Sequence, residues 1–305
     1  MKHADAAQPF DHAATGTGGQ SAASAGYRHI TVEPIAPSIG AEIGGVDLAA
    51  GVDAAVVAEI RRALLEHLVV FFRDQRIDAV AQKAFTRRFG DIFVHPNFNT
   101  GRGDPEIVEL VRNPGDTSYP GEQWHSDTTM MVHPPMGAIL YALEVPPYGN
   151  DTLFTNQYLA YETLSPGLKR VLAGMRAIHS DVRVAGPQAR NNARRSTKVR
   201  EDDAWRATES AHPVVRTHPE TGRRALFVNI AYTLRFEDMS AQESAPLLDY
   251  LLEHGNRPEF SCRFAWRPGS IAFWDNRCTK HLALNDVGTL RRHMRRTQIA
   301  GDAVY

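Results

Sequence analysis

The chain is poor in cysteine: Cys262 and Cys278 are the only two in 305 residues. Two thiols in a chain this long do not make a disulfide framework, so a reducing, cytoplasmic setting is the simpler expectation. No run of about 18 apolar residues occurs, so nothing reads as a membrane-spanning helix. The N-terminus has no apolar stretch behind a basic start and does not read as a secretory signal. Charge of one sign is also lacking. The 34 Lys and Arg nearly balance the 35 Asp and Glu, and this balance gives no global reason to expect nucleic acid or an anionic membrane as partner. There is no internal repeat. What the chain does have is 43% hydrophobic residues over its length, ample for a sizeable buried core.

Residues 1–27 are rich in Ala, Gly, Ser, Thr, His and Gln and read as a disordered leader, because they offer little apolar surface to bury. Residues 28–305 read as one domain. Residues 29–35 alternate as a strand does. Val56, Val57, Ile60, Leu64 and Leu65 fall at helical spacing over 54–68. Residues 69–72 form a short buried strand, and 79–89 a second helix stopped by Gly90. Short β-branched or apolar runs follow at 107–111, 138–143 and 152–155. Residues 182–210 gather Arg, Asn and Gln around few apolar anchors and read as a mobile, exposed insertion. The runs at 214–217 and 225–228 flank Pro219-Glu220-Thr221-Gly222 and predict a hairpin. Ser240 caps a helix over 241–254. The runs at 259–266 and 270–274 predict a second hairpin, and 292–299 a last strand. Strands joined by tight turns, with helices toward both ends, indicate a mainly β fold: an antiparallel core flanked by helices.

Three His-x-Asp tripeptides occur: His3-Ala4-Asp5, His125-Ser126-Asp127 and His179-Ser180-Asp181. On a strand, residues i and i+2 share a face, so His125 and Asp127 would point into one cavity and supply two thirds of a facial metal triad. Such a pair alone is more often hydrogen-bonded or at the surface than metal-bound, and the second and third copies are identical. Trp124 weakly favours the copy at 125. His281 follows the core run 271–274 and is a candidate third ligand. Cys278-x-x-His281 could be a zinc half-site, but no second cysteine pair supports it. On a terminal strand Arg292 and Arg296 share a face. A basic solvated edge is one reading. The other has them facing inward, where two arginines would need two anions, and guanidinium suits a carboxylate because it donates two parallel hydrogen bonds.

Several ordered motifs together resemble the taurine dioxygenase (TauD/TfdA) family of 2-oxoglutarate-dependent oxygenases. They are Arg88-Phe89-Gly90, Trp124-His125-Ser126-Asp127, Pro134-Pro135, Gly149-Asn150-Asp151-Thr152 and Trp274-Asp275-Asn276-Arg277, followed by His281, Arg292 and Arg296. The resemblance runs from about residue 30 to 302. It implies a double-stranded β-helix, or jelly-roll, core, and an enzyme that uses Fe(II), 2-oxoglutarate and O2 to hydroxylate a C–H bond with release of succinate and CO2. It implies iron ligands at His125, Asp127 and His281, 2-oxoglutarate contacts at Thr152 and Arg292, and a grip on the anionic group of the prime substrate by Arg296 and His95. Phe98 and Gly121 stand where taurine-using members have Tyr and Asn. Both differences remove polar groups from the pocket, so the expected substrate is a small organic sulfonate, sulfate ester or carboxylate with a larger apolar body. An aryloxyalkanoate is the alternative within the family. A divalent-metal hydrolase using the same triad, or a binding domain with a vestigial site, are the alternatives outside it. A homo-oligomer is the family-level expectation.

Overall fold

The computed structural model describes residues 26–98, 103–186, 192–200 and 204–305. Nearly all of the expected leader, and the His3-Ala4-Asp5 copy with it, lie outside these residues.

Local sequence signals set the early elements. After β1 (Thr31–Pro34) and β2 (Ala41–Gly44), Asp53 opens α1 (Ala54–His67) by accepting from the Val56 amide, and Leu68 ends it in a left-handed conformation at φ 67°. β3 (Val69–Phe72) follows directly, and Asp78 caps α2 (Ala79–Arg87) in the same way as Asp53 caps α1. Each cap satisfies one amide that the first helical turn leaves unpaired, worth about 1 kcal/mol. Next come β4 (Val108–Arg112), β5 (Gly137–Glu144) and β6 (Thr152–Asn156), then the short helices α3 (Gln157–Glu162) and α4 (Pro166–Leu172). β7 (Arg176–Ser180), β8 (Glu209–Pro213), β9 (Val215–Thr217), β10 (Arg224–Leu226) and β11 (Thr233–Phe236) lead to α5 (Ala241–Gly255), which starts with a full Ser240–Glu243 capping box. The chain closes with β12 (Ser261–Phe264), β13 (Ile271–Asp275), β14 (Thr279–Ala283) and β15 (Arg292–Ile299).

Seven strands form one sheet in the order β1-β2-β3-β13-β5-β15-β4, antiparallel except for the β2–β3 pair. A three-stranded sheet, β12-β6-β14, lies across one of its faces. The alternation in β3 shows how. Val69 and Phe71 point into a core shared with Phe154 of β6 and Phe264 of β12, and the Phe71 and Phe264 rings stack with centroids 3.9 Å apart. Val70 and Phe72 point the other way, onto Ile60 and Leu64 of α1 and Phe85 of α2. One strand thus serves two cores, which is why its sequence reads as continuously apolar. A further three-stranded sheet, β11-β7-β8, and the hairpin β9–β10 pack with α5 and α3 in a separate cluster.

The mainly β architecture with flanking helices and the hairpin at 214–228 agree with the sequence expectations. The second expected hairpin does not form. β12 pairs with β6, while β13 pairs with β3 and β5, so the turn at 267–270 carries the chain from one sheet to the other. Periodicity identified both strands but could not tell which neighbour each would find. Among the described residues no helix is long and apolar enough to cross a membrane.

Candidate active site

His281 lies in β14, and β14 holds His125 beside it. The His125 amide donates to the His281 carbonyl at 3.0 Å, and the His281 amide returns a bond of 2.8 Å. The two rings sit 4.1 Å apart. Residues 125–127 are not the expected strand. The chain makes a single bridge at His125 and then turns, with Thr128 in the left-handed region at φ 55°. Asp127 is placed instead by Asn276, whose side chain accepts from the Asp127 amide at 2.7 Å and donates to its carbonyl and to that of Pro135, both at 3.0 Å. The result matches the strand reading in one respect: ligand atoms of His125, Asp127 and His281 all lie within 4.8 Å of one another, and all three residues are buried. Cys278 does not join them, so the zinc half-site reading finds no support.

The donor set suits a divalent cation. His125 Nδ1 is 2.7 Å from the Gln123 carbonyl, which can only accept, so the ring proton sits there and Nε2 keeps its lone pair. Burial lowers the pKa of both histidines and keeps them neutral. Burial alone would raise the Asp127 carboxyl, but Arg296 and the surrounding histidines outweigh it and hold the carboxylate ionised. Neutral imidazoles and an ionised carboxylate are the forms that bind metal. Among the described residues Asp127 Oδ2 is buried without a hydrogen-bond partner, which leaves it available to an ion.

The trio opens onto a cavity of about 290 Å³ that also takes in Thr152, Arg292, Arg296, His95, Phe98 and Gly121. Arg292 is wholly buried. Its Nη1 donates to the Tyr119 hydroxyl at 2.8 Å, its guanidinium lies over the Tyr119 and Trp266 rings, and Nε and Nη2 have no partner among the described residues. The Thr152 hydroxyl accepts from Trp266 Nε1 at 2.9 Å, so its own proton remains free to donate. Arg296 Nη1 donates to Asp127 Oδ1 at 3.2 Å, while its Nε and Nη2 are unpartnered among the described residues. His95 packs edge-on to Phe98. Burial, helped by Arg296, pushes its pKa down to about 3. Its Nδ1 accepts from the Asn97 amide at 3.1 Å, so a neutral His95 carries its proton on Nε2. Gly121 has φ +92°, and a Cβ there would come within 3.3 Å of His125 Cε1. It therefore keeps one wall of the cavity close to a candidate ligand as well as leaving room.

Sequence reasoning gave no role to Tyr119, Trp266 and Asn276. Asn276 stood inside a quoted motif, but its partner is 149 residues away, which no local pattern reveals. Part of the segment read as an exposed insertion also reaches the cavity. Val184, Arg195 and Val199 line it, and Asn192, Arg195, Thr197 and Val199 are buried. Backbone bonds from Thr117 and Ser118 to the Arg194 carbonyl, and from Arg200 to that of Asn97, tie this segment down. A second trio, His218, Asp275 and Cys278, is already satisfied from within: Arg277 donates to both oxygens of Asp275, and His218 Nε2 bonds Oδ2 at 3.0 Å.

Residues 31–298 match the model of the family described as taurine catabolism dioxygenase TauD, TfdA. An alkylsulfatase of Acinetobacter baylyi is 35% identical over 266 residues, covering 87% of this chain and 83% of that protein. An alpha-ketoglutarate-dependent sulfate ester dioxygenase of Pseudomonas putida is 34% identical over 275 residues, covering 90% of each. Among solved structures, a taurine dioxygenase from Burkholderia xenovorans superposes with a TM-score of 0.77 at 39% identity, covering 91% of both chains.

Proposed function

The chain belongs to the TauD/TfdA family and is a 2-oxoglutarate-dependent dioxygenase. On that premise we propose that it uses Fe(II) and O2 to hydroxylate a C–H bond of a small anionic organic substrate, a sulfate ester or alkanesulfonate, with release of succinate and CO2. The observation that carries this reading is the pair of buried arginines. Arg292 and Arg296 line the cavity that holds the His125–Asp127–His281 trio, and among the described residues each keeps two guanidinium nitrogens without a partner. Among the described residues no carboxylate meets Arg292, and Asp127 meets only one nitrogen of Arg296, so the donors left over call for two anions. 2-Oxoglutarate and an anionic prime substrate provide them.

His125, Asp127 and His281 would hold the iron. When bound, the metal would supply the oxidative decarboxylation of the 2-oxo acid by dioxygen that is coupled to hydroxylation. The protein's own residues orient the partners. Arg292 donates to the far carboxylate of 2-oxoglutarate, steadied by Tyr119 and helped by the Thr152 hydroxyl. Arg296 and the Nε2–H of His95 take the anionic group of the substrate, and Phe98 and Gly121 face its carbon body. Hydroxylation at the carbon bearing a sulfate or sulfonate gives a product that breaks down to an aldehyde or ketone and the released anion. The apolar ring of Phe98 and the absent side chain of Gly121 favour an alkyl body over the ammonium of taurine, and relatives named for sulfate esters and alkyl sulfates support the same choice. We also read the β12-β6-β14 sheet lying across the seven-stranded sheet as the two faces of a double-stranded β-helix.

The test is succinate release with Fe(II) and 2-oxoglutarate across taurine, hexanesulfonate, hexyl sulfate and 2-phenoxypropionate. Hexyl sulfate or hexanesulfonate is expected to turn over best. A clear preference for taurine would overturn the substrate reading, and a preference for 2-phenoxypropionate would move it to the aryloxyalkanoates. Activity that persists without oxygen and 2-oxoglutarate would make the protein a hydrolase. Anaerobic Fe(II) and 2-oxoglutarate should give a weak visible charge-transfer band. His281→Ala should abolish it, and Arg292→Ala should weaken 2-oxoglutarate binding by about a hundredfold, as loss of one partner of a buried charge pair does.

A further inference from the structure

The tripeptide His179-Ser180-Asp181 duplicates the metal-site tripeptide but is not part of the trio. Its burial is complete: all three residues have no exposed surface. It sits at the end of β7, and the His179 and Asp181 side chains reach in different directions, each to a segment that forms the active site.

His179 reaches the turn that follows Asp127. Its Nδ1 is 2.9 Å from the Thr129 hydroxyl, which also accepts from Asn229 Nδ2 at 3.1 Å. The same turn is fastened twice more from β8: Ser210 donates to the Met130 carbonyl at 2.8 Å, and His212 Nε2 bonds the Met131 carbonyl at 3.0 Å. The turn begins with Thr128 in a left-handed conformation that a β-branched residue adopts only under constraint, and these bonds provide the constraint.

Asp181 reaches the loop that carries His95 and Phe98. Its Oδ2 accepts from Asn97 Nδ2 at 2.7 Å, and its Oδ1 from the Thr208 amide at 2.9 Å. Asn97 in turn donates its amide to His95 Nδ1, the bond that leaves the His95 proton on Nε2. The Asp181 carbonyl accepts from the amides of Val184 and Ala185, and Val184 lines the cavity. A buried carboxylate bonded to two neutral amide donors is costly to keep unless its geometry matters.

We propose that His179-Ser180-Asp181 is a positioning clamp. His179 fixes the turn that presents Asp127 to the metal, and Asp181 fixes the loop that presents His95 and Phe98 to the substrate. One strand end thereby sets the distance between iron and prime substrate, and Asp181, acting through Asn97, is a specificity-determining residue. The inference rests on the function proposed above, since it assigns the two segments to iron and to substrate. Two residues apart on one strand would face the same way. The clamp works because Asp181 lies just past the strand end, where the chain turns and frees it to face the other segment.

The test is an exchange of donor and acceptor. In Asp181→Asn the new amide faces the Asn97 amide donor to donor, so Asn97 must turn its own carboxamide over and the charge-assisted bond that now holds the loop is lost. KM for hexyl sulfate should rise about tenfold, the factor a single buried hydrogen bond carries. More succinate should form per molecule of substrate consumed, while affinity for Fe(II) and 2-oxoglutarate stays at the wild-type value. In the double variant Asn97→Asp/Asp181→Asn the donor is now on position 181, the oxygen that accepts from Thr208 is kept, and KM should return. His179→Phe should do the opposite: weaker Fe(II) binding with the hexyl sulfate KM at saturating iron unchanged. Amide hydrogen exchange over residues 93–98 should quicken in Asp181→Asn and recover in the double variant, with no metal or substrate present. If Asp181→Asn does not fold, Asn97→Ala breaks the same bond from the loop side and should show the same KM and exchange changes.

The clamp is overturned if the single variant shifts all three affinities alike, or lowers only thermal stability, or if the double variant restores neither KM nor exchange. Failure of the functional reading looks different: the wild-type protein would then give neither the visible band nor succinate, while the exchange measurement still decides whether Asp181 holds the loop.

Discussion

Arg296 Nη1 donates to Asp127 Oδ1 at 3.2 Å, so the arginine proposed to grip the substrate also neutralises a carboxylate proposed to hold iron. The two functions are electrostatically coupled. Burial alone would raise the Asp127 carboxyl, and Arg296 is the largest influence opposing it.

Replacing Arg296 by Met should therefore act twice. KM for the prime substrate should rise by at least tenfold while 2-oxoglutarate affinity changes little. Asp127 should also titrate higher. Since only its ionised form binds metal, the acid limb of Fe(II) binding should move to higher pH. Anaerobic Fe(II) titrations at pH 5.5 and 7.5 check this: the variant should lose more affinity at the lower pH than the wild-type protein does. An equal loss of substrate and 2-oxoglutarate affinity would count against the division of roles between Arg296 and Arg292.

His95 should contact the substrate anion as a neutral donor. Its pKa is pushed down to about 3, so it stays uncharged throughout the neutral range, and the hexyl sulfate KM should show no His95 titration between pH 5.5 and 8. His95→Gln, which keeps an N–H donor, should retain most of the affinity, and His95→Ala should lose about tenfold. A KM that improves steadily as the pH falls through 6 would show an imidazolium in its place.

Gly121 should be harder to replace than an empty cavity wall suggests. Its φ of +92° strains any side chain, and a Cβ would come within 3.3 Å of His125 Cε1. Gly121→Ala should weaken Fe(II) binding and lower the melting temperature. Phe98→Tyr, at a half-buried position free of such strain, should leave iron binding intact and raise taurine turnover relative to hexyl sulfate. Both effects follow from Fe(II) titration and succinate assays on the two variants.

Asp275 ties its region together through charge. It accepts from Arg277 Nε, Arg277 Nη2 and His218 Nε2, and Arg277 goes on to Glu220. Burial alone would raise its carboxyl, but Arg277 and His218 hold it far below the ordinary carboxylate range. A carboxyl depressed in the folded state contributes stability that is fully present above its unfolded pKa of about 3.9 and is lost as pH falls below it. Asp275→Asn leaves Arg277 without its main partner and should cost about 3 kcal/mol at pH 7. Melting curves from pH 3 to 7 should show the wild-type protein losing stability below about pH 4, with a flatter acid limb for the variant.

Much of this molecule is legible in its sequence. The helices expected over 54–68, 79–89 and 241–254 are legible from apolar spacing, the stop at Gly90 and the Ser240 cap, because helical bonds and caps are local; the structure adds the caps Asp53 and Asp78. The mainly β class follows from short apolar runs between turn residues. On spacing alone, the candidate ligands could not be separated from an identical tripeptide, and several motifs taken together had to select them. Spacing could not show that Arg292 and Arg296 both face inward, because that depends on how β15 packs against its neighbours.

The chemical inventory lies in the order of residues: a His-x-Asp pair, a distant histidine, two arginines four apart, and strands and helices marked by their own periodicity and caps. The tertiary structure decided how that inventory is used. It sent β12 and β13 to different sheets, placed Asp127 by a turn and Asn276 where a strand was expected, gave Arg292 the company of Tyr119 and Trp266, and turned the second His-Ser-Asp into a buried bridge between two loops. The physical reason is the same in each case. Elements form from bonds spanning three or four residues, whereas the bonds that aim a side chain join positions such as 127 and 276 or 97 and 181, which lie 149 and 84 residues apart and meet only when the sheets have packed.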